Sequence, residues 1–220
     1  MVQEIKAPPL KKKKKTQAEK IDELMDYIKA GGSIGLEMQK KFEELPEKYV
    51  AMLVTKQGKY DLVIANLVKN FCKKNKGGII ITINKSGRDL LKLFEKNKID
   101  SSKLFIIDAV SKEQTPTTKA GNIAYLDSPK DLTEIEATAI EFAEKLPKEK
   151  RFLIFDSLST LLIYNADRTV EKFVHSMAEK LRSLGFQAVF TIMDETKPEI
   201  MNVLSQFCDK VIKLSPQIKP

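Results

Sequence analysis

The chain has no tryptophan, one histidine (His175) and two cysteines (Cys72 and Cys208) in 220 residues. Each scarcity excludes a class of chemistry. One histidine and no CxxC pair leave no ligand set of zinc-binding spacing. Hydrolysis by a Ser/His/Asp or Cys/His arrangement is excluded on the same ground, because no local motif supplies a nucleophile for that histidine. Its setting beside Phe173 and Val174 on an apolar helix reads as a packed residue. Cys72 and Cys208 fall in segments read as helices, far apart in the chain, and read as buried free thiols. No apolar run approaches the roughly 18 residues of a membrane span. The N-terminus carries charge and proline where a signal peptide has its apolar stretch, so the expected location is the cytoplasm.

What the chain does contain is enough apolar material to fold. Hydrophobic residues make up 42% and charged residues 31%, as in soluble globular proteins. The length suits one α/β domain with a sizeable core. Much of the net charge of +8 is local: Lys11, Lys12, Lys13, Lys14 and Lys15 form an unbroken run behind Ala7-Pro8-Pro9-Leu10. Repulsion and proline hold such a segment extended. It reads either as a solvated tail or as an arm that gains affinity for a polyanion by releasing condensed counterions. No basic motif interleaved with aromatics accompanies it, which limits any nucleic-acid contact to a weak, non-specific one.

Three segments follow: a basic tail over 1–17, a helical extension over 18–46, and an α/β domain over 47–220. In the extension, Ile21, Leu24, Met25 and Ile28 recur at helical spacing over Ala18 to Ala30. Gly31-Gly32 stops that pattern, and Ile34 to Leu45 reads as a second helix ending at Pro46. The apolar faces of these helices need a partner, either the main domain or another chain.

From Tyr49 the chain alternates strand and helix. The strands are expected at Tyr49–Thr55, Gly78–Ile83, Leu104–Val110, Ile123–Leu126, Phe152–Phe155, Ala188–Met193 and Lys210–Leu214. The helices are expected at Tyr60–Lys74, Ser86–Asn97, Leu132–Leu146, Arg168–Leu184 and Glu199–Phe207. Strands this continuously apolar, each followed by a helix, require a mainly parallel sheet covered on both faces.

In such sheets ligands bind beyond the carboxyl ends of the strands, which directs attention to four places. After the first strand, Thr55-Lys56-Gln57-Gly58-Lys59-Tyr60-Asp61 leads into a helix. A phosphate loop would read GxxxxGK[ST] there, with glycines opening the backbone to phosphate, lysine neutralising it and a hydroxyl holding magnesium. Only Gly58 and Lys59 remain, Leu53 stands where the first glycine would be, and Tyr60 replaces the hydroxyl. The bare pair reads as an ordinary strand-to-helix turn rather than as a phosphate loop. After the second strand, Asn84-Lys85-Ser86 offers a helix cap in Ser86 and no carboxylate for a general base. Asp108 and Asp156 end two further strands, and each reads as a turn-holding or capping residue. Asp156 also matches the aspartate that supports magnesium in nucleotide-binding folds.

The run "FLIFDSLSTLLIY" with "RTVEKFVHSMAEKLRSLGFQAVFTIMDE" resembles the Walker B strand, helix and next strand of archaeal KaiC-like proteins in the RecA superfamily. "GIIITINKSGRDLLKLFEKNKIDSSKLFIIDAVS" is similar to that family's second strand, helix and third strand. The likeness covers about residues 48–214 and implies a three-layer RecA-like domain with a mainly parallel sheet, here with an N-terminal helical extension. It implies a nucleotide site at Gly58, Lys59 and Asp156, but active members carry a full Walker A motif where this chain has "VTKQGKYD". They also carry a glutamate after the second strand, where this chain has Asn84-Lys85. Because phosphoryl transfer is accelerated almost entirely by positioning and electrostatics, losing the cradle, hydroxyl and base together removes most catalysis.

The resulting expectation is a pseudo-ATPase without catalytic residues, metal or cofactor, acting as a regulatory or protein-interaction module. RecA-type domains commonly assemble side by side, so the resemblance implies a protein partner or a homo-oligomer, reached through the domain or the N-terminal helices. Two alternatives stand beside it. One is a divergent nucleotide-binding protein or weak ATPase using ATP with magnesium, in which Asn84 or Lys85 replaces the lost functions. The other is non-specific association with nucleic acid through the lysine tail.

Overall fold

A computed structural model describes residues 32–56, 58, 60–74, 76–111 and 122–214. The lysine tail, the helix expected at Ala18–Ala30, and Lys59 lie outside the described residues. The described chain begins with a helix, α1 (32–43). It continues as β1 (Tyr49–Thr55), α2 (Tyr60–Lys73), β2 (Gly77–Thr82), α3 (Gly87–Lys96), β3 (Leu104–Asp108), β4 (Ile123–Tyr125) and α4 (Leu132–Lys145). β5 (Arg151–Asp156), α5 (Leu158–Tyr164), α6 (Asp167–Ser183), β6 (Gln187–Met193), α7 (Pro198–Ser205) and β7 (Lys210–Lys213) complete it.

The strands form one seven-stranded sheet in the order β4-β3-β2-β5-β6-β1-β7. Every pairing is parallel. Alternate residues of each strand point to opposite faces, and the core divides accordingly. Val50, Met52, Val54, Leu153 and Phe155 pack with α4, α5, α6 and α7. Ala51, Leu53, Phe152 and Ile154 pack with α1, α2 and α3. This is a three-layer α/β fold. Burying a Leu, Ile or Phe in such a layer contributes about 1.5–3 kcal/mol.

The open question about the N-terminal extension is answered for its second helix. Ile34, Met38 and Phe42 of α1 are buried in the same core as α2, with the Phe42 ring 6.1 Å from Tyr49 and 6.2 Å from Phe71. The partner of this face is the main domain. Gly32 is itself helical, so the expected break at Gly31-Gly32 does not extend to it.

Three local expectations need correction. The apolar run after Asp156 conceals a separate helix, α5, started by Ser157, whose Oγ accepts from Thr160 N. Its Leu158 and Leu161 face the core, so hydropathy alone merges it with β5. Cys208 lies beyond α7 rather than in a helix, and both cysteines are half-buried free thiols. Burial pushes the Cys72 thiol up to about 11 and that of Cys208 to about 12, away from the reactive thiolate form. His175, expected to be packed, is exposed on α6 with its ring 5.0 Å from Phe207.

One glycine is dictated by packing. A Cβ at Gly78 would stand 2.2 Å from the Phe152 ring, and Phe152 in turn stacks on Phe71 with ring centroids 4.4 Å apart.

Candidate functional site

The strand order places a switch point at the carboxyl ends of β2 and β5. From β2 the chain moves outward through α3 to β3, whereas from β5 it moves the other way through α5 and α6 to β6. Neighbouring strands whose connections diverge leave a crevice, the usual ligand position in open α/β sheets. Asn84, just after β2, and Asp156, the last residue of β5, face each other there.

Side chains fill that crevice by bonding to each other. Asp156 is fully buried. Its Oδ1 accepts from Asn84 Nδ2 at 3.2 Å and from Thr191 Oγ1 of β6 at 3.0 Å. Thr160 Oγ1 donates to Asn84 Oδ1 and lies 3.2 Å from Ser157 Oγ. Next to this, Ser159 Oγ accepts from Met193 N at 2.7 Å and is 2.7 Å from Thr196 Oγ1, which fastens the start of α5 over the end of β6. The network therefore ties β2, β5, α5 and β6 together. Burial pushes the Asp156 carboxyl up to about 8, against the opposing hydrogen bond from Thr191. Its Oδ2 is buried without a partner, which suits a neutral acid better than a carboxylate. The Asp156–Ser157 peptide is cis.

After β1, where a phosphate loop would stand, the described Gly58 lies in a turn. Gly58 has φ +85°, a conformation glycine adopts without strain. Thr55 Oγ1 is 3.3 Å from Ile192 O, and Thr55 O accepts from Asp194 N at 2.8 Å, so the end of β1 is bonded to β6. Tyr60, at the position of the magnesium-holding hydroxyl, packs instead against the apolar core of α2, with its OH buried and unpartnered. Lys85 Nζ forms an ion pair with Asp61 at 3.1 Å. Asp108 is taken up by three backbone N–H groups, those of Gly87, Val110 and Ser111, at 2.7–2.9 Å. Ser86 caps α3, accepting from Asp89 N at 3.1 Å.

Of the residues expected to bind nucleotide, Gly58 sits in a turn, Asp156 is enclosed, and β6 with its Thr191 lies between their strands. Magnesium takes anionic oxygens that water can also reach. A buried acid that is largely protonated near neutrality, with one oxygen already bonded twice, does not fit magnesium-nucleotide, and among the described residues no group of three or more His, Cys, Asp or Glu could hold a metal. Sequence reasoning missed Ser157, Thr160 and Thr191. The Ser-x-x-Thr spacing after Asp156 was a readable cap signal. Thr191 had none, because its role depends on the register of β6 against β5.

The fold is that of a three-layer RecA-like α/β domain. A crystal structure of a KaiC-like protein from the hyperthermophilic archaeon Pyrococcus horikoshii superposes with a TM-score of 0.56 over 80% of this chain and 76% of that one, at 16% identity. Residues 65–214 match the model of a family of unknown function, DUF7504, and the chain belongs to that family. A search of curated proteins found no match. Among the described residues, no helix is long and apolar enough to cross a membrane.

Proposed function

We propose that this chain is a non-catalytic RecA/KaiC-like protein, a pseudo-ATPase acting in the cytoplasm as a regulatory or protein-interaction module. The observation that carries this reading is the closed network around Asp156. The one acidic residue matching a nucleotide-site position is enclosed by Asn84 and Thr191, and its second oxygen is shut away from solvent. Supporting it, α5 ends on the apolar side chains Ile163 and Tyr164, which are 79% and 44% exposed. Exposed apolar surface of this kind suits contact with a protein partner or a second copy of the chain.

Isothermal titration of ATP with magnesium into the full chain tests the proposal, with Lys59→Ala and Asp156→Asn as controls. The expected result is no saturable heat up to millimolar ATP. Saturable binding that both substitutions abolish would replace this reading with that of a divergent nucleotide-binding protein.

A further inference from the structure

The opposite edge of the sheet, where the strands begin, carries a cleft of about 600 Å³, within the size range of ligand sites. Three separate connections bring basic side chains to it: Lys48 before β1, Lys74 and Lys76 between α2 and β2, and Lys148, Lys150 and Arg151 between α4 and the start of β5. Only Glu47 and Glu149 oppose them in the lining.

The floor of the cleft is built. Gln187 accepts from Lys76 Nζ and donates to Glu47 O at 2.9 Å, fixing Lys76 in place, and Lys76 also lies over the Phe71 ring at 5.6 Å. Arg151 is nearly buried. Its Nη1 and Nη2 donate to Ala143 O and Leu184 O, and its guanidinium covers the Phe186 ring at 4.6 Å. Gly185 has no side chain to displace Lys48, whose Cε would meet a Cβ there at 3.3 Å.

The rim is different. Lys48, Lys74, Lys148 and Lys150 are exposed, and none of the four forms an ion pair among the described residues. Lysines near helix C-termini offset the helix dipole, which accounts for one cation per helix end. It does not account for lysines from three loops converging on one concavity. Burial, then the neighbouring Lys74 and, less strongly, Lys150, hold the Lys76 ammonium below its ordinary value against the opposing Glu47. Lys150 is also held at φ +57°, a left-handed conformation that costs a non-glycine residue energy and concentrates at functional positions.

We propose that this cleft binds a run of phosphate groups, as carried by a nucleic-acid backbone or a free polyphosphate. The lining has no aromatic side chain, so the cleft offers charge to phosphates and no platform for stacking a base. The site is separate from the Asp156 crevice and does not rest on the function proposed above.

The test uses the full chain, a fluorescein-labelled dT20 oligonucleotide followed by anisotropy across a salt series, and inorganic tripolyphosphate followed by thermal shift. Replacing Lys74, Lys148 and Lys150 together by Gln should weaken oligonucleotide binding by about tenfold and lower the slope of log affinity against log salt by about two. Replacing Lys11–Lys15 by Gln should leave that difference in place. If only tripolyphosphate distinguishes the parent from the triple variant, the ligand is a free polyphosphate and the site stands. Equal responses of parent and triple variant to both ligands would overturn the proposal, as would loss confined to the tail variant. Lys150→Gly separates ligand contact from folding. It should weaken binding while the thermal midpoint stays or rises, and a lowered midpoint with unchanged binding would assign Lys150 a purely structural role and count against the site.

Discussion

At one edge of the sheet the polar side chains bond to each other, and at the other the lysines on the rim form no ion pair among the described residues. Asp156 Oδ1, Asn84, Thr160 and Thr191 bond to one another across β2, β5, α5 and β6, with Asp156 Oδ2 buried beside them. Lys48, Lys74, Lys148 and Lys150 surround a cleft without ion pairs among the described residues. The fold directs attention to the first edge, because ligands of open parallel sheets gather at the carboxyl ends of strands. The chemistry directs it to the second. Hydrogen-bonding capacity already used inside the protein contributes to stability, and capacity left unused is what a ligand can engage. A family fold therefore indicates where a site would be, while only the side chains decide whether that place can bind anything.

Three substitutions would break or sharpen this contrast, taken from the largest expected effect to the smallest. Arg151 belongs to the floor of the open edge, yet it is bonded to the closing carbonyls of α4 and α6. Arg151→Ala should cost about 3 kcal/mol in urea unfolding, since it removes charged hydrogen bonds and leaves buried carbonyls without partners. A loss under about 0.5 kcal/mol would show that the floor is as unconstrained as the rim.

At the closed edge, pH is the probe. The folded Asp156 carboxyl titrates near 8 and the unfolded one near 3.8. Below the unfolded value both states are protonated. As pH rises from about 4 to 8, the unfolded state loses its proton while the folded state keeps it, so this group's contribution to stability declines. Asp156→Asn cannot ionise and should gain on the parent by about 2 kcal/mol between pH 5 and pH 6.5. Urea unfolding of both proteins at the two pH values measures this, and parallel pH curves would mean that Asp156 is ionised in the fold and the crevice is more open than described.

The smallest effect is expected at Thr191→Val, which keeps the shape and removes one hydrogen bond to Asp156, a loss of about 1 kcal/mol. Its decline in stability should extend to higher pH, because Thr191 is the donor that lowers the Asp156 value. An unchanged pH profile would separate Thr191 from the network.

Most of the strands and helices were legible because their signals are local. β-branched runs such as Ile79-Ile80-Ile81 and the cap at Ser86 declare themselves within a few residues. α5 was not legible, because Leu158 and Leu161 continue the hydropathy of β5 and the boundary is a single serine cap. The Asp156 site was half legible. The aspartate stood out at a strand end, but its enclosure depends on Thr191, one strand away in space and 35 residues away in sequence. The basic cleft was not legible at all. Its lysines are scattered over three connections, and the conspicuous Lys11–Lys15 run drew the electrostatic argument elsewhere.

By itself the sequence determined the layered α/β class, because alternating apolar strands and amphipathic helices have few other ways to bury their surfaces. It also showed that the turn after β1 does not carry the GxxxxGK[ST] pattern, because that motif is contiguous and can be read directly. The tertiary structure alone decided which polar groups meet. Parallel strands adjacent in the sheet come from distant parts of the chain, so their register set the enclosure of Asp156, and the meeting of several loops at one edge left the lysines facing a common space.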